Sequence, residues 1–496
     1  MIWGDFMRFI STRGEESYVS SSQAIIRGIS KSGGLYVPEE FPRLYEKIKD
    51  KENLSYEEIS FEIVKAFFTD FTENEIKIAI NKAYKNRFKV IEKNGFLELY
   101  HGPTSAFKDA ALLFLPQIMK IAKTKQNIKE EIVILAATSG DTGKAALEGF
   151  SGVEGFKVMV YYPKDKVSAV QERQMITQEG ENVNVVGIRG NFDEAQRGVK
   201  EIFGDDKFKE ELLSKGFRLS SANSINIGRL IPQIIYYFYG YFQLVNKQKI
   251  KLGDKINVVV PTGNFGNILA AYYAKEMGLP IAKFICASNE NKVLTDFFKK
   301  GIYDRRRELV VTESPSMDIL VSSNLERLLF EASGRNSDEI KSLMKELNLN
   351  GVYSINGKYK SFLKDFYGEN ANTEEVYKAI KDLYNKEGYL MDTHTAVGYV
   401  VLDKYIKDTN DTTKCLIAST ASPYKFPRSI TKALEIDNEE NGDFEAIEKL
   451  NKFCKIKVPN NLIGLDNKDV LHNFACDFDD MRQALKDFLG GKHDKS

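Results

Sequence analysis

The sequence predicts an α/β protein built on parallel sheet wrapped by helices. Short β-branched runs end in glycine-bearing turns and lead straight into helical stretches. "IVILAAT" (132–138) passes through "SGDTG" into "KAALEGF", and "NVVVPT" (257–262) passes through "GNFGN" into "ILAAYYAKEMG". "KFICASN" and "KCLIAST" are two further strands of the same kind. The 496 residues are enough for two large domains or about three ordinary ones, with a substantial core.

The elements follow in order. From Ser55 to Arg87 the apolar residues Ile59, Ile63, Ala66 and Phe67, then Ile76, Ile80, Ala83 and Tyr84, recur at three and four, which predicts two amphipathic helices. They belong to an N-terminal module, residues 1–95. Residues 96–130 and 225–430 are expected to form a large domain, and 131–224 a smaller α/β domain. "SSNLERLLFEASG" and its neighbours predict a helical insertion at about 318–388, and 431–496 reads as a charged helical tail. "IPQIIYYFYGYFQLV", from Ile231, is too short to cross a bilayer and is interrupted by Gln233 and Gly240, so it reads as a buried helix. No repeat of fixed period is present.

Lysine plus arginine (70) equals aspartate plus glutamate (70), so no global field draws the chain to nucleic acid or to an anionic membrane. Any charged ligand must be caught locally. Cys286, Cys415, Cys454 and Cys476 are far apart, without a CxxC pair or metal-ligand spacing, and read as reduced thiols of a cytoplasmic protein. "MIWGDFMRFISTRGEE" lacks the features of a secretory signal.

Four stretches can carry chemistry. In "HGPTSAFKDAALLF" (101–114), Lys108 lies just before a helix that Asp109 is expected to cap, with Leu112, Leu115, Met119 and Ala122 on one face and Pro116 as an internal kink. The positive helix end and Phe107 both disfavour an ammonium there, leaving a nucleophilic amine. The alternative is a lysine that snorkels to solvent. "TGNFGN" offers consecutive backbone N–H groups at a helix start, a phosphate cradle, or else only a tight strand-to-helix joint. "SGDTGK" fails as a Walker loop, and neither glycine turn completes a dinucleotide fingerprint. With Ser139, Asp141 and Thr142 it could instead hold a small carboxylate. "SSANSINIGR" (220–229) gathers Asn223, Ser224, Asn226 and Arg229, either donors for a second anion or a polar turn capping the apolar helix that follows. His101 and His394 are acid-base candidates or hydrogen-bonded structural residues.

Taken in order, "ISTRG", "GGLYVPEEFP", "HGPTSAFKD", "ATSGDTG", "SSANSINIGRLIPQ", "PTGNFGN", "SPSMDI", "DTHTAVGY" and "STASPYKFP" resemble the threonine synthase family of fold-type II pyridoxal phosphate (PLP) enzymes, related in fold to tryptophan synthase β. The resemblance implies a PLP-dependent lyase acting on phosphates, which converts O-phospho-L-homoserine and water to L-threonine and phosphate. A phospho-lyase that releases phosphate and a keto acid is the alternative. Lys108 matches the lysine that forms the internal aldimine and shuttles protons at Cα and Cγ. Gly263, Asn264, Phe265, Gly266 and Asn267 match the loop for the cofactor phosphate, and Thr420 the hydroxyl residue facing the pyridine nitrogen. Asp141 matches a position near the phenolic oxygen, while Ser139 and Thr142 belong to the substrate-carboxylate turn. Asn223, Ser224, Asn226 and Arg229 match donors for the substrate phosphate. The family's "TAHPAKF" reads "TASPYKF" here, with Ser422 in place of His. The partner implied is a small molecule, without nucleic acid or membrane, acted on by a monomer or homodimer. Family-like sequence begins near Met7, so translation is expected to start there rather than at Met1.

Overall fold

Two sheets organise the chain in the computed structural model, which describes residues 6–14, 17–51, 53–138, 140–436 and 442–491. Met1 lies outside these ranges. The larger sheet has six strands in the order Phe366–Asn370, Ile281–Ser288, Ile256–Pro261, Cys415–Ser419, Phe96–His101 and Lys89–Lys93. All neighbours are parallel except the last pair, a hairpin. The second sheet is wholly parallel, in the order Ala475–Cys476, Val183–Ile188, Phe156–Pro163, Glu131–Ala137 and Phe217–Ser220. Central strands such as Ile256–Pro261 are buried along their whole length, which is why they read as unbroken apolar runs rather than alternating ones.

The two helices expected between Ser55 and Arg87 are Tyr56–Phe67 and Glu73–Tyr84. Each opens with a capping box, Ser55 with Glu58 and Thr72 with Glu75, so the orphan N–H groups of both first turns are satisfied locally. The apolar stretch from Ile231 belongs to the helix Ile227–Asn246, buried over most of its length. Gly240 lets it lie close on the sheet, since a Cβ there would stand 2.9 Å from both Leu97 and Leu416. Among the described residues no helix is long and apolar enough to cross a membrane.

Three expectations are corrected. The 318–388 insertion is not purely helical, because Phe366–Asn370 pairs with Ile281–Ser288 at the sheet edge. Phe366 stacks on Phe284 at 4.7 Å and on Phe298 at 5.3 Å, and that packing overrides the charged helical pattern around it. The 431–496 tail is likewise not helical throughout, because Ala475–Cys476 extends the smaller sheet beside Val183–Ile188. The helix after Lys108 is two helices, Asp109–Leu112 and Leu115–Lys125, with Pro116 in the first turn of the second. Proline is tolerated there because that N–H has no intrahelical partner to lose.

Candidate active site

The chain enters the site from the carboxyl ends of parallel strands, the edge where open α/β sheets bind ligands. Strand Phe96–His101 leads to Lys108, Glu131–Ala137 to Asp141, Ile256–Pro261 to the glycine turn, and Cys415–Ser419 to Thr420.

Lys108 is clamped through its neighbours. The Phe107 N–H donates to the Thr420 carbonyl at 2.8 Å, and the Ser422 N–H to the Ser105 carbonyl at 3.0 Å. Ser105 is held in the left-handed region, φ 58°, and its hydroxyl donates to Asn461 Oδ1 at 2.8 Å. Lys108 itself occupies the cap position expected for Asp109, whose buried carboxyl instead accepts from Thr104 N at 2.9 Å and Thr104 Oγ1 at 2.7 Å. Lys108 Nζ lies 3.5 Å from Ser316 Oγ and 3.9 Å from Asp141 Oδ2. Burial pulls its pKa down to about 8, with Arg229 and Lys425 adding repulsion against the opposing pull of Asp141. The sequence reading assigned that effect to the helix end and to Phe107; burial leads, and the repulsion comes from two buried cations rather than from a helix end.

Asp141 opens the helix Asp141–Phe150 behind Gly140, whose φ of 140° suits glycine alone; a Cβ there would meet the Gln171 amide at 2.5 Å. Asp141 Oδ1 receives Lys425 Nζ at 2.8 Å and Gln171 Nε2 at 2.9 Å. Burial opposes the charge, yet Lys425 and Lys108 together hold the carboxyl well below the usual range. Thr142 is half-buried in the first turn, and Thr138 Oγ1 takes the N–H groups of Gly140 and Gly143. Ser139 lies outside the described residues.

The glycine turn is fixed from below. The Gly263 carbonyl accepts from Ser322 Oγ at 2.6 Å, and the Asn264 carbonyl from Asn324 N at 3.1 Å and Asn324 Nδ2 at 2.9 Å. Gly263 is needed for close approach, since a Cβ would stand 2.8 Å from the Ser316 carbonyl. Phe265 sits in the left-handed region at φ 64°, a strain of about 1–2 kcal/mol. Its buried ring packs on Phe298 and Phe366, and a left-handed residue in such a turn aims successive N–H groups to one side. Gly266 and Asn267 begin the helix Gly266–Glu276. Asn267 Oδ1 is held by the Tyr236 and Tyr237 hydroxyls, while its buried Nδ2 has no protein partner.

The 220s turn is less uniform. Arg229 is 4% exposed and donates through Nη1 to the Ala222 carbonyl at 3.0 Å, but its buried Nε has no protein partner. Burial pulls its pKa down to about 10. The Asn226 amide is fully engaged, accepting from Gly228 N at 2.8 Å and donating to the Ile25 carbonyl at 2.9 Å. Asn223 is exposed and folds back on Ile225 N, and Ser224 is half-buried. His394 donates from Nδ1 to Asp392 and accepts the Ser316 N–H on Nε2, so it holds the Ser316 segment rather than facing Lys108. His101 pairs with Glu98 at 2.6 Å.

Arg229, whose buried Nε has no protein partner, repels the Lys108 charge, and Ser316, whose hydroxyl lies 3.5 Å from Lys108 Nζ, packs closely on Gly263 of the turn that ends in Asn267, whose buried Nδ2 is likewise without a protein partner. Such donors near a lysine of lowered pKa fit a phosphorylated aldehyde cofactor and a second anion. Residues 8–84 match the family described as "Threonine synthase N terminus", 96–355 "Pyridoxal-phosphate dependent enzyme", and 395–467 "Threonine synthase, C-terminal". Threonine synthase of Saccharomyces cerevisiae is 36% identical over 480 residues, 88% of this chain and 91% of that one. The chain belongs to the threonine synthase family. A human relative, threonine synthase-like 1, is 40% identical over 461 residues, which cover 87% of this chain and 61% of that longer protein. The crystal structure of PLP-bound threonine synthase from Brucella melitensis superposes with a TM-score of 0.85 at 32% identity, covering 97% of this chain and 99% of that one. The fold-type II architecture and the PLP cofactor expected from the resemblance are borne out.

Among the residues that shape the site, sequence reasoning passed over Gln171, Ser316, Ser322, Asn324 and Lys425. Ser316 and Lys425 stood within quoted motifs, but nothing in their local spacing pointed to Lys108 or Asp141.

Proposed function

We propose that the chain catalyses conversion of O-phospho-L-homoserine and water to L-threonine and phosphate, at a site between the parts 131–224 and 96–130 with 225–430. The observation that supports this reading is that Lys108 reaches Ser316, which packs on Gly263 of the glycine turn, and feels the charge of Arg229 in the 220s turn, while each turn has a buried donor without a protein partner. Gly263, Asn264, Phe265, Gly266 and Asn267 would hold the cofactor phosphate with backbone N–H groups and the Asn267 amide. Thr420 would hold the pyridine nitrogen, and Asp141 would serve the ring hydroxyl. Bound there, pyridoxal phosphate supplies the electron sink for proton removal next to the substrate amino group.

The chain's own residues supply the rest. Lys108, low in pKa and nearly enclosed, carries protons at the substrate Cα and Cγ. Thr142, with Ser139, belongs to the turn that receives the substrate carboxylate. Arg229 binds the substrate phosphate with Ser224 and Asn223, while Asn226 holds that turn in shape. Ser422 accepts from Tyr424 N at 3.4 Å and donates its own N–H to Ser105, so here the position serves the backbone of the Lys108 segment. The test is product analysis with purified protein, PLP and O-phospho-L-homoserine. Threonine formed in step with phosphate is the expected result. Phosphate accompanied by keto acid would replace this reading with the phospho-lyase one.

A further inference from the structure

Lys425 is a fully enclosed charge in the site. Its side chain is 0% exposed and Nζ has three acceptors: Asp141 Oδ1 at 2.8 Å, Gln174 Oε1 at 2.6 Å and the Thr104 carbonyl at 3.3 Å. These come from three separate parts of the site, namely the start of the helix Asp141–Phe150, the helix Ala169–Ile176 and the Lys108 loop. Gln171, one turn from Gln174 on that helix, reaches the same Asp141 oxygen. Asp141 Oδ1 is therefore filled by two protein donors, and only Oδ2 is left to face Lys108.

From this geometry we propose that Lys425 is a positioning residue for the reaction, pinning Asp141 as a compensated carboxylate with one oxygen committed to the protein and the other turned to Lys108 and the cofactor ring. The inference rests on Lys108 and Asp141 forming the cofactor site. A buried carboxylate without its cation takes up a proton. The charged groups facing Lys108 and Asp141 are each other, Arg229 and Lys425, with Asp109, Lys144 and Glu148 behind them. Losing Lys425 moves proton uptake by Asp141 into the working pH range, beside the chromophore.

The experiment is a pH titration of the holoenzyme's visible absorption band, from pH 5 to 9, in wild type, Lys425→Met, Lys425→Arg and Lys425→Met/Asp141→Asn. Borohydride fixation and peptide mapping locate the cofactor in each. The expected result is a new spectral transition in Lys425→Met that is absent from wild type and from the double variant, and weakened or absent in Lys425→Arg. A Lys425→Met holoenzyme that carries the cofactor on Lys108 yet titrates like wild type overturns the proposal and leaves the site assignment standing. Cofactor mapped in wild type to another lysine overturns both. If Lys425→Met does not fold, the double variant, which removes both charges, is expected to fold. In that case a Lys425→Arg spectrum that titrates like wild type, set against a shifted one for Lys425→Gln, carries the test; a Lys425→Gln spectrum without a shift overturns it.

Discussion

The two turns proposed to hold anions are built on opposite principles. The glycine turn 262–267 uses backbone, held from below by Ser322 and Asn324 and stiffened by a left-handed Phe265 on an aromatic stack. The 220s turn depends on one long buried side chain, Arg229, and on Asn226, whose amide ties the turn to the N-terminal module through Ile25. The first suits a cofactor that stays. The second suits a group that arrives, departs and must be told from other anions, because a guanidinium has a directional fork where a nest of N–H groups has a general concavity.

Lys108 is proposed to serve both, so its loss is expected to erase the contrast. Lys108→Ala should cut turnover by about 10³-fold or more and leave no cofactor that borohydride can fix to protein. In wild type, capture of PLP by cofactor-free protein should speed up as pH rises, reach half its maximum near pH 8 and level off above it, because the free amine reacts and Lys108 is mostly protonated below that value. Stopped-flow absorbance would show this, and a rate still climbing at pH 10 would mean an ordinary lysine. Arg229→Ala should raise the substrate KM by about 10- to 100-fold, the worth of hydrogen bonds to a charged group, with little change in PLP affinity. Equal losses in both would show that the turns are assigned to the wrong phosphates. Asn267→Ala should do the reverse, weakening PLP by about two- to tenfold in equilibrium titration with a nearly constant KM. The smallest effect is expected from Asn226→Ala, about 1 kcal/mol of stability from the lost helix cap, seen as a lower Tm.

What the sequence made legible was local. The glycine turns stand between a strand and a helix a few residues either side, so periodicity and turn chemistry locate them, and Lys108 stood out by its place before a helix. The pairing of Asp141 with Lys425 was not legible, because nothing near either residue encodes the other. Lys425 and its acceptor Thr104 are 321 residues apart in the chain. Asn226 was legible as polar but not as engaged, since its partner carbonyl is 201 residues away. The edge strands Phe366–Asn370 and Ala475–Cys476 escaped notice for a related reason. Each is short, and its strand character comes from the sheet it joins rather than from its own pattern.

Arg327 gives the N-terminal module a meaning beyond added bulk. Its fully buried guanidinium donates to the Tyr36 carbonyl at 2.9 Å, to the Ile225 carbonyl at 2.6 Å and, at close range, to Asn324 Oδ1. A single rigid fork thus touches the first eighty residues, the turn assigned to the arriving phosphate and the residue that props the cofactor turn. Such a piece cannot be trimmed or transplanted independently: a shortened enzyme would keep every residue assigned to the chemistry and still lose the alignment between its two anion seats.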